Sequence, residues 1–170
     1  MFLNTSDGDS QYIMSNTQIE WIQNNVILPD NTWSLLVFGH VNLNNFDITS
    51  NTMTTSTEGN AANIISAINN CNGTIIGYIC GHQHIDVTKK VGNFQHTTLQ
   101  CDKLETIDYY NGISFIDRSI GNITEQAVSI ISINQKTKQV IIRRVGAARN
   151  YNTRIDGEND NSIVMSYSYA

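Results

Sequence analysis

The sequence predicts a mixed α/β domain, in which a parallel or mixed sheet with helical cover is followed by strands joined by turns. In the first half, apolar β-branched runs alternate with helical stripes in the order strand, helix, strand, helix, strand. After Asp86 the pattern changes to apolar strands separated by polar turns. The length of 170 residues is that of one domain able to bury a substantial core.

Each element of the first half has a local signal. The Thr17 hydroxyl and the Glu20 carboxylate, three residues apart, form a capping box that predicts a helix start. Apolar runs predict buried strands, whereas the polar segment at 42–58 has the composition of a loop. The predicted elements are a short strand at 2–5, a helix at 18–27, a strand at 33–38, a helix opened by Asn60 with Ala61, Ile64, Ile65 and Ile68 on one face, and a strand at 74–80.

The second half predicts strands connected by short loops. Residues 134–138 have the composition of a hairpin loop between the last two strands. The predicted strands cover residues 94–99, 113–116, 127–133 and 139–145. We therefore assign residues 1–150 to the domain and residues 151–170 to a polar C-terminal tail.

Composition excludes several classes of partner. The formal net charge is −5, and Lys and Arg form no block longer than two residues, which argues against nucleic-acid and anionic-membrane surfaces. No run of 18 apolar residues predicts a membrane span, and the N-terminal residues lack the basic and apolar regions of a signal peptide. Cys71, Cys80 and Cys101 are widely spaced, which is typical of reduced thiols in a reducing, cytoplasmic compartment.

The main chemical signal is the run Gly81-His82-Gln83-His84, directly after the strand at 74–80. On extended backbone, residues at i and i+2 point to the same side, so both imidazoles would face one ligand. His40 follows the strand at 33–38 in the same way. Because ligands of open α/β sheets bind beyond the carboxyl ends of the strands, His40, His82 and His84 are candidate metal ligands.

Each histidine also has a structural alternative. His40 alone is compatible with a hydrogen-bonded residue at a strand end, and the His82–His84 run with an ordinary loop. His96 lies inside a predicted strand with no partner at ligand spacing. It is therefore interpreted as a structural residue within the strand. The alternative is that His96 faces the metal site from a neighbouring loop.

These motifs resemble a known family. Gly81-His82-Gln83-His84 resembles the C-terminal Gly-His-x-His signature of calcineurin-like metallophosphoesterases, and His40 resembles their preceding single-His motif. Residues 17–22 are similar to the helix before that motif, and residues 124–127 and 143–148 to the closing hairpin of a bacterial and phage-associated branch. The resemblance implies a four-layer αββα sandwich around two divalent ions (Mn, Fe or Zn), with His40 and His82 on one ion and His84 on the other.

The family's upstream ligand motifs are not found in this sequence. Asp-x-His and Gly-Asn-His-Asp/Glu do not occur, and Asp7-Gly8-Asp9 follows the strand that in the family comes after all of them. Asn42 also stands where the family usually has Pro. The resemblance therefore implies the C-terminal half of the sandwich, with no catalytic residue of its own and with one ion or none bound by this chain alone.

Two functions follow from this interpretation. The first is a metal-dependent phosphoester hydrolase, which catalyses two-metal hydrolysis only when a missing N-terminal half completes it. The second is a non-catalytic structural or host-binding module of phage or prophage origin, which covers its exposed surfaces by forming a homo-oligomer. The corresponding locations are the cytoplasm and the virion. No motif indicates which residues would bind a substrate.

Overall fold

The computed structural model describes residues 1–5, 8, 13–25, 32–47, 52–55, 60–71, 73–82, 86–99, 109–110, 113–114, 127–146 and 163–170. Within these ranges the chain is mixed α and β, with two helices and two larger sheets. The helices are α1 (Asn16–Asn25) and α2 (Ala61–Asn69). The strands are β1 (Ser34–Phe38), β2 (Asn44–Asp47), β3 (Thr52–Thr55), β4 (Thr74–Cys80), β5 (Val87–Val91), β6 (Phe94–Thr98), β7 (Tyr109–Tyr110), β8 (Ile113–Ser114), β9 (Ala127–Asn134), β10 (Gln139–Gly146) and β11 (Ile163–Ser168).

The first sheet is mixed, as the strand–helix order predicts. Its strand order is β1-β4-β6-β5, in which β4 pairs in parallel with both β1 and β6, and β5 is antiparallel to β6. Phe2 forms a parallel bridge with Phe38, so the N-terminal residues extend the sheet beyond β1. The carboxyl ends of β1 and β4 therefore lie side by side at one edge of the sheet.

Both helices contribute to one hydrophobic core with the first sheet. Ile22 of α1 and Ile64 and Ile68 of α2 are almost completely buried in the same cluster as Val37 and Tyr78. The capping-box prediction is wrong in register. The Ser15 hydroxyl, rather than that of Thr17, caps α1, because it accepts a hydrogen bond of 3.2 Å from the Gln18 amide.

The second sheet is antiparallel, in the order β11-β10-β9, and forms a second core with the first. Ile76 of β4 is buried with Ile142 of β10 and Tyr167 of β11. Gly77 permits the close approach, because a Cβ at this position would lie 2.8 Å from the Tyr167 hydroxyl oxygen. The two helices, the mixed sheet and the antiparallel sheet thus pack in that order, with one core on each face of the mixed sheet.

Three segments differ from the sequence prediction. The segment at 42–58 contains the antiparallel hairpin β2–β3 instead of loop alone. Val87–Val91 forms β5, which pairs with β6. Residues 163–168, placed by sequence in the polar tail, form β11, because Met165 and Tyr167 bury one face while Ser166 and Ser168 on the other face lower the mean hydropathy. Predictions for Cys101, His84 and residues 147–162 concern positions outside the described residues.

Candidate metal centre

The structure brings His40 and His82 together at the carboxyl edge of the first sheet. Each imidazole lies two residues beyond a strand end, His40 after β1 and His82 after β4. The ring centroids are 5.4 Å apart and the rings meet edge to face. Parallel pairing continues past the strand ends, since the Gly81 amide donates to the His40 carbonyl over 3.2 Å. The two adjacent parallel strands therefore set the spacing of the two rings.

The His40–His82 pair has features of a metal site. His40 is exposed and His82 is half-buried, so ions in solvent can reach the rings. Neutral imidazole binds Zn, Mn and Fe through a ring nitrogen about 2 Å from the ion, and rings at this separation fit two ligands of one ion. The two imidazoles are therefore suitable ligands of a divalent ion. Because both ligands are neutral, they do not offset the charge of the ion.

The backbone at His82 differs from the prediction. Its φ of 66° places it in the left-handed region, whereas extended backbone is expected from the sequence of the Gly81-His82-Gln83-His84 run. Alternation along an extended strand therefore does not apply at His82, and the prediction that the His82 and His84 side chains point to the same side is wrong in this assumption. His84 itself lies outside the described residues. Non-glycine residues with positive φ are uncommon and are enriched at ligand-binding sites.

His96 lies on β6 and is part of the buried interior. Its side chain is completely buried, and its ring stacks on Tyr78 with centroids 5.4 Å apart. Nε2 accepts a hydrogen bond of 3.2 Å from the Leu43 amide. Burial lowers the pKa of His96 to about 3, so the ring is neutral near pH 7. These contacts agree with the interpretation of His96 as a structural residue.

A buried ion pair whose acidic member follows the histidine run in sequence was missed by sequence reasoning. Asp86, two residues after His84, contacts the guanidinium of Arg144 on β10, and both side chains are fully buried. The pair connects the segment after the histidine run to the second sheet. Arg144 inside the apolar run of β10 and Asp86 between Ile85 and Val87 were the available signals, but nothing in the sequence indicates that the two meet, because 58 positions separate them.

Within the described ranges, no group of three or more His, Cys, Asp or Glu side chains is positioned to hold a metal ion. No helix in the described part of the chain is long and apolar enough to cross a membrane.

Comparison with protein-family models and with curated proteins yields no match to this chain. The resemblance to calcineurin-like metallophosphoesterases therefore depends on the sequence motifs around His40 and His82.

Proposed function

We propose that this chain is the C-terminal half of a metal-dependent phosphoester hydrolase domain, with His40, His82 and His84 as ligands of divalent ions. The observation that carries the proposal is the pairing of His40 and His82 at adjacent parallel strand ends, with ring centroids 5.4 Å apart. The order of these histidines along the chain resembles the ligand motifs of calcineurin-like metallophosphoesterases. The described helix–sheet–sheet layers are compatible with three layers of an αββα sandwich.

The donor set limits what this chain can do alone. Bound divalent ions supply an activated water and stabilise charge on phosphate oxygens. Two such ions about 4 Å apart repel each other strongly unless carboxylates bridge them and offset their charge. Imidazoles are neutral donors, and Asp86 is already paired with Arg144. Two-metal hydrolysis is therefore proposed only for an assembly in which an N-terminal half supplies the bridging carboxylate and the remaining ligands.

Metal binding provides the direct test. We expect the chain to bind Mn²⁺ or Zn²⁺ in calorimetric titration, and His40→Ala or His82→Ala to abolish binding. Gln83→Ala is the matched control, because it alters the same run without removing an imidazole. Binding by His82→Ala equal to that of the original protein would exclude the site.

Hydrolysis tests the second part of the proposal. With Mn²⁺ and an aryl phosphate, we expect no turnover by this chain alone and turnover once the N-terminal half is present. His84→Ala in the completed protein should abolish that turnover, whereas Gln83→Ala should retain it. Full activity of the His84→Ala protein would remove His84 from the ligand set.

A second candidate function, a self-associating structural or host-binding module, is favoured by the outer face of the second sheet. Val128 and Val145 are cross-strand partners on this face and are 54% and 45% exposed, and Ile130 is 50% exposed. Among the described strands, β9 also forms an edge of this sheet. Exposed apolar side chains beside an edge strand are typical of surfaces that pair with another chain.

Sedimentation velocity and elemental analysis separate the two candidates. A dimer without stoichiometric metal supports the module, whereas a monomer with bound ions supports the hydrolase. Ile130→Thr should dissociate a dimer formed through this face with little loss of stability, since the side chain is half exposed. A matched change on the polar hairpin, Thr137→Ser, should leave the dimer intact.

A further inference from the structure

The turn that carries His40 is held by side chains from the N-terminal segment and from β4. The Thr5 hydroxyl oxygen accepts hydrogen bonds from the His40 amide over 3.2 Å and from the Val41 amide over 3.1 Å. The Tyr78 hydroxyl donates to the Val41 carbonyl over 2.7 Å. Because Thr5 and Tyr78 bind consecutive backbone groups, they restrict the path of the chain directly after the His40 Cα.

The next two residues of the turn are held from β4 and β6. The Cys80 thiol donates to the Asn42 side-chain oxygen over 2.9 Å, and the Leu43 amide donates to His96 Nε2 over 3.2 Å. Cys80 Sγ also lies 3.7 Å from His96 Nε2. Val41, Asn42 and Leu43 are 5%, 2% and 1% exposed, so solvent cannot replace these partners.

The hydrogen bond from the Leu43 amide identifies which ring nitrogen of His96 carries the proton. An amide N–H can donate only to a ring nitrogen with a free lone pair, so Nε2 is unprotonated and the proton of the neutral ring is on Nδ1. Stacking on Tyr78 fixes the plane of the ring. Because its lone pair already accepts from Leu43, Nε2 is not available to a metal ion.

We propose that His96 is a positioning residue for the metal ligand His40, holding the buried turn at 41–43 so that the His40 ring stays beside His82. The proposal rests on the proposed metal site. Side chains from three separate elements converge on four consecutive residues, whereas exposed turns need no such partners because water satisfies their backbone groups. Partners that hydrogen-bond a metal ligand directly typically change metal affinity by 10- to 100-fold when replaced, and His96, which acts through the turn backbone, is expected at the lower end of that range.

Two variants separate the hydrogen bond from packing. His96→Phe keeps a planar ring against Tyr78 but removes the acceptor for the Leu43 amide. His96→Gln retains an amide oxygen near the position of Nε2 and is expected to restore the contact. We expect the dissociation constant for Co²⁺ to rise about tenfold or more in His96→Phe, and to stay within about threefold in His96→Gln. Ile64→Val, in the helix layer, controls for general loss of stability.

Two readouts on the metal-free protein test the positioning role independently of metal binding. In His96→Phe, we expect faster hydrogen exchange at the Leu43 amide and a changed ¹⁵N shift of the His40 ring, with both near their original values in His96→Gln. Should His96→Phe fold poorly, Tyr78→Phe removes the donor to the Val41 carbonyl and is expected to change the His40 shift in the same way.

The outcomes distinguish the two proposals. If the original protein binds no Co²⁺ but His96→Phe changes the His40 shift, the metal site fails and the positioning role stands. If the protein binds Co²⁺ and His96→Phe changes neither the affinity nor the His40 shift, the positioning role is overturned. The positioning role is also overturned if His96→Phe weakens Co²⁺ binding no more than Ile64→Val does and His96→Gln does not restore the affinity.

Discussion

His96 should contribute strongly to the change of the free energy of unfolding with pH. Burial lowers the pKa of this imidazole from 6.5 to about 3, because the completely buried ring cannot be hydrated when charged. In the unfolded chain the ring protonates near its ordinary value of about 6.5. Between these two values the unfolded state binds more protons, so the free energy of unfolding falls as the pH falls. The contribution of His96 to the free energy of unfolding is thus fully present above about pH 6.5 and is lost as the pH falls toward 3.

The size of the effect follows from the two pKa values. Each pH unit inside the window changes the free energy of unfolding by about 1.4 kcal/mol at most. Between pH 6.5 and pH 4.5, the difference amounts to roughly 2 kcal/mol. The neighbouring Cys80 thiol and Tyr78 hydroxyl add nothing in this range, because burial raises the pKa of both groups.

His96→Gln removes this contribution while retaining an acceptor for the Leu43 amide. We expect urea denaturation, followed by far-UV circular dichroism from pH 4.5 to 7.5, to give a shallower pH slope for the variant, by roughly 2.5 kcal/mol over the range. All other groups are common to the two proteins, so their contributions cancel in the comparison. Equal slopes would show that the His96 ring protonates in the folded protein, which is incompatible with an Nε2 that accepts from Leu43.

Three further substitutions test other contacts. Arg144→Met should reduce the free energy of unfolding by about 3–5 kcal/mol, because it removes the guanidinium charge that offsets the buried Asp86 carboxylate, and adding Asp86→Asn should recover most of the loss in the same urea titration. Gly39→Ala should lower it by about 1–3 kcal/mol, since a Cβ there would overlap the Tyr78 hydroxyl, and an unchanged melting temperature would contradict the geometry. Ser15→Ala should cost about 1 kcal/mol by removing the cap of α1, and a larger loss would mean that Ser15 does more than cap.

Much of the fold could be predicted because its elements have local signals. Apolar β-branched runs identified β1 and β4, and helical periodicity identified α2, whose Ile64 and Ile68 are almost completely buried. The His40–His82 pairing was predictable for the same reason, since parallel neighbours place equivalent positions after their strand ends side by side. His84 remains a prediction.

The contacts that hold the site could not be predicted in this way. β11 has serines between its buried residues, so its mean hydropathy resembles that of a polar tail, and only pairing with β10 identifies it as a strand. The left-handed backbone at His82 likewise has no signature in the residues around it. Backbone conformation at such positions is decided by the surrounding contacts rather than by local preference.

The sequence alone determined the mixed α/β class and the histidines at two strand ends, because periodicity and strand order are properties of neighbouring residues. Only the tertiary structure decided that His96 supports the turn after His40 and that Asp86 pairs with Arg144. The partners in these contacts are 53 and 58 positions apart, and such contacts leave no local pattern in the chain. They form because buried polar groups need partners, and only the packed layers determine which groups are buried together.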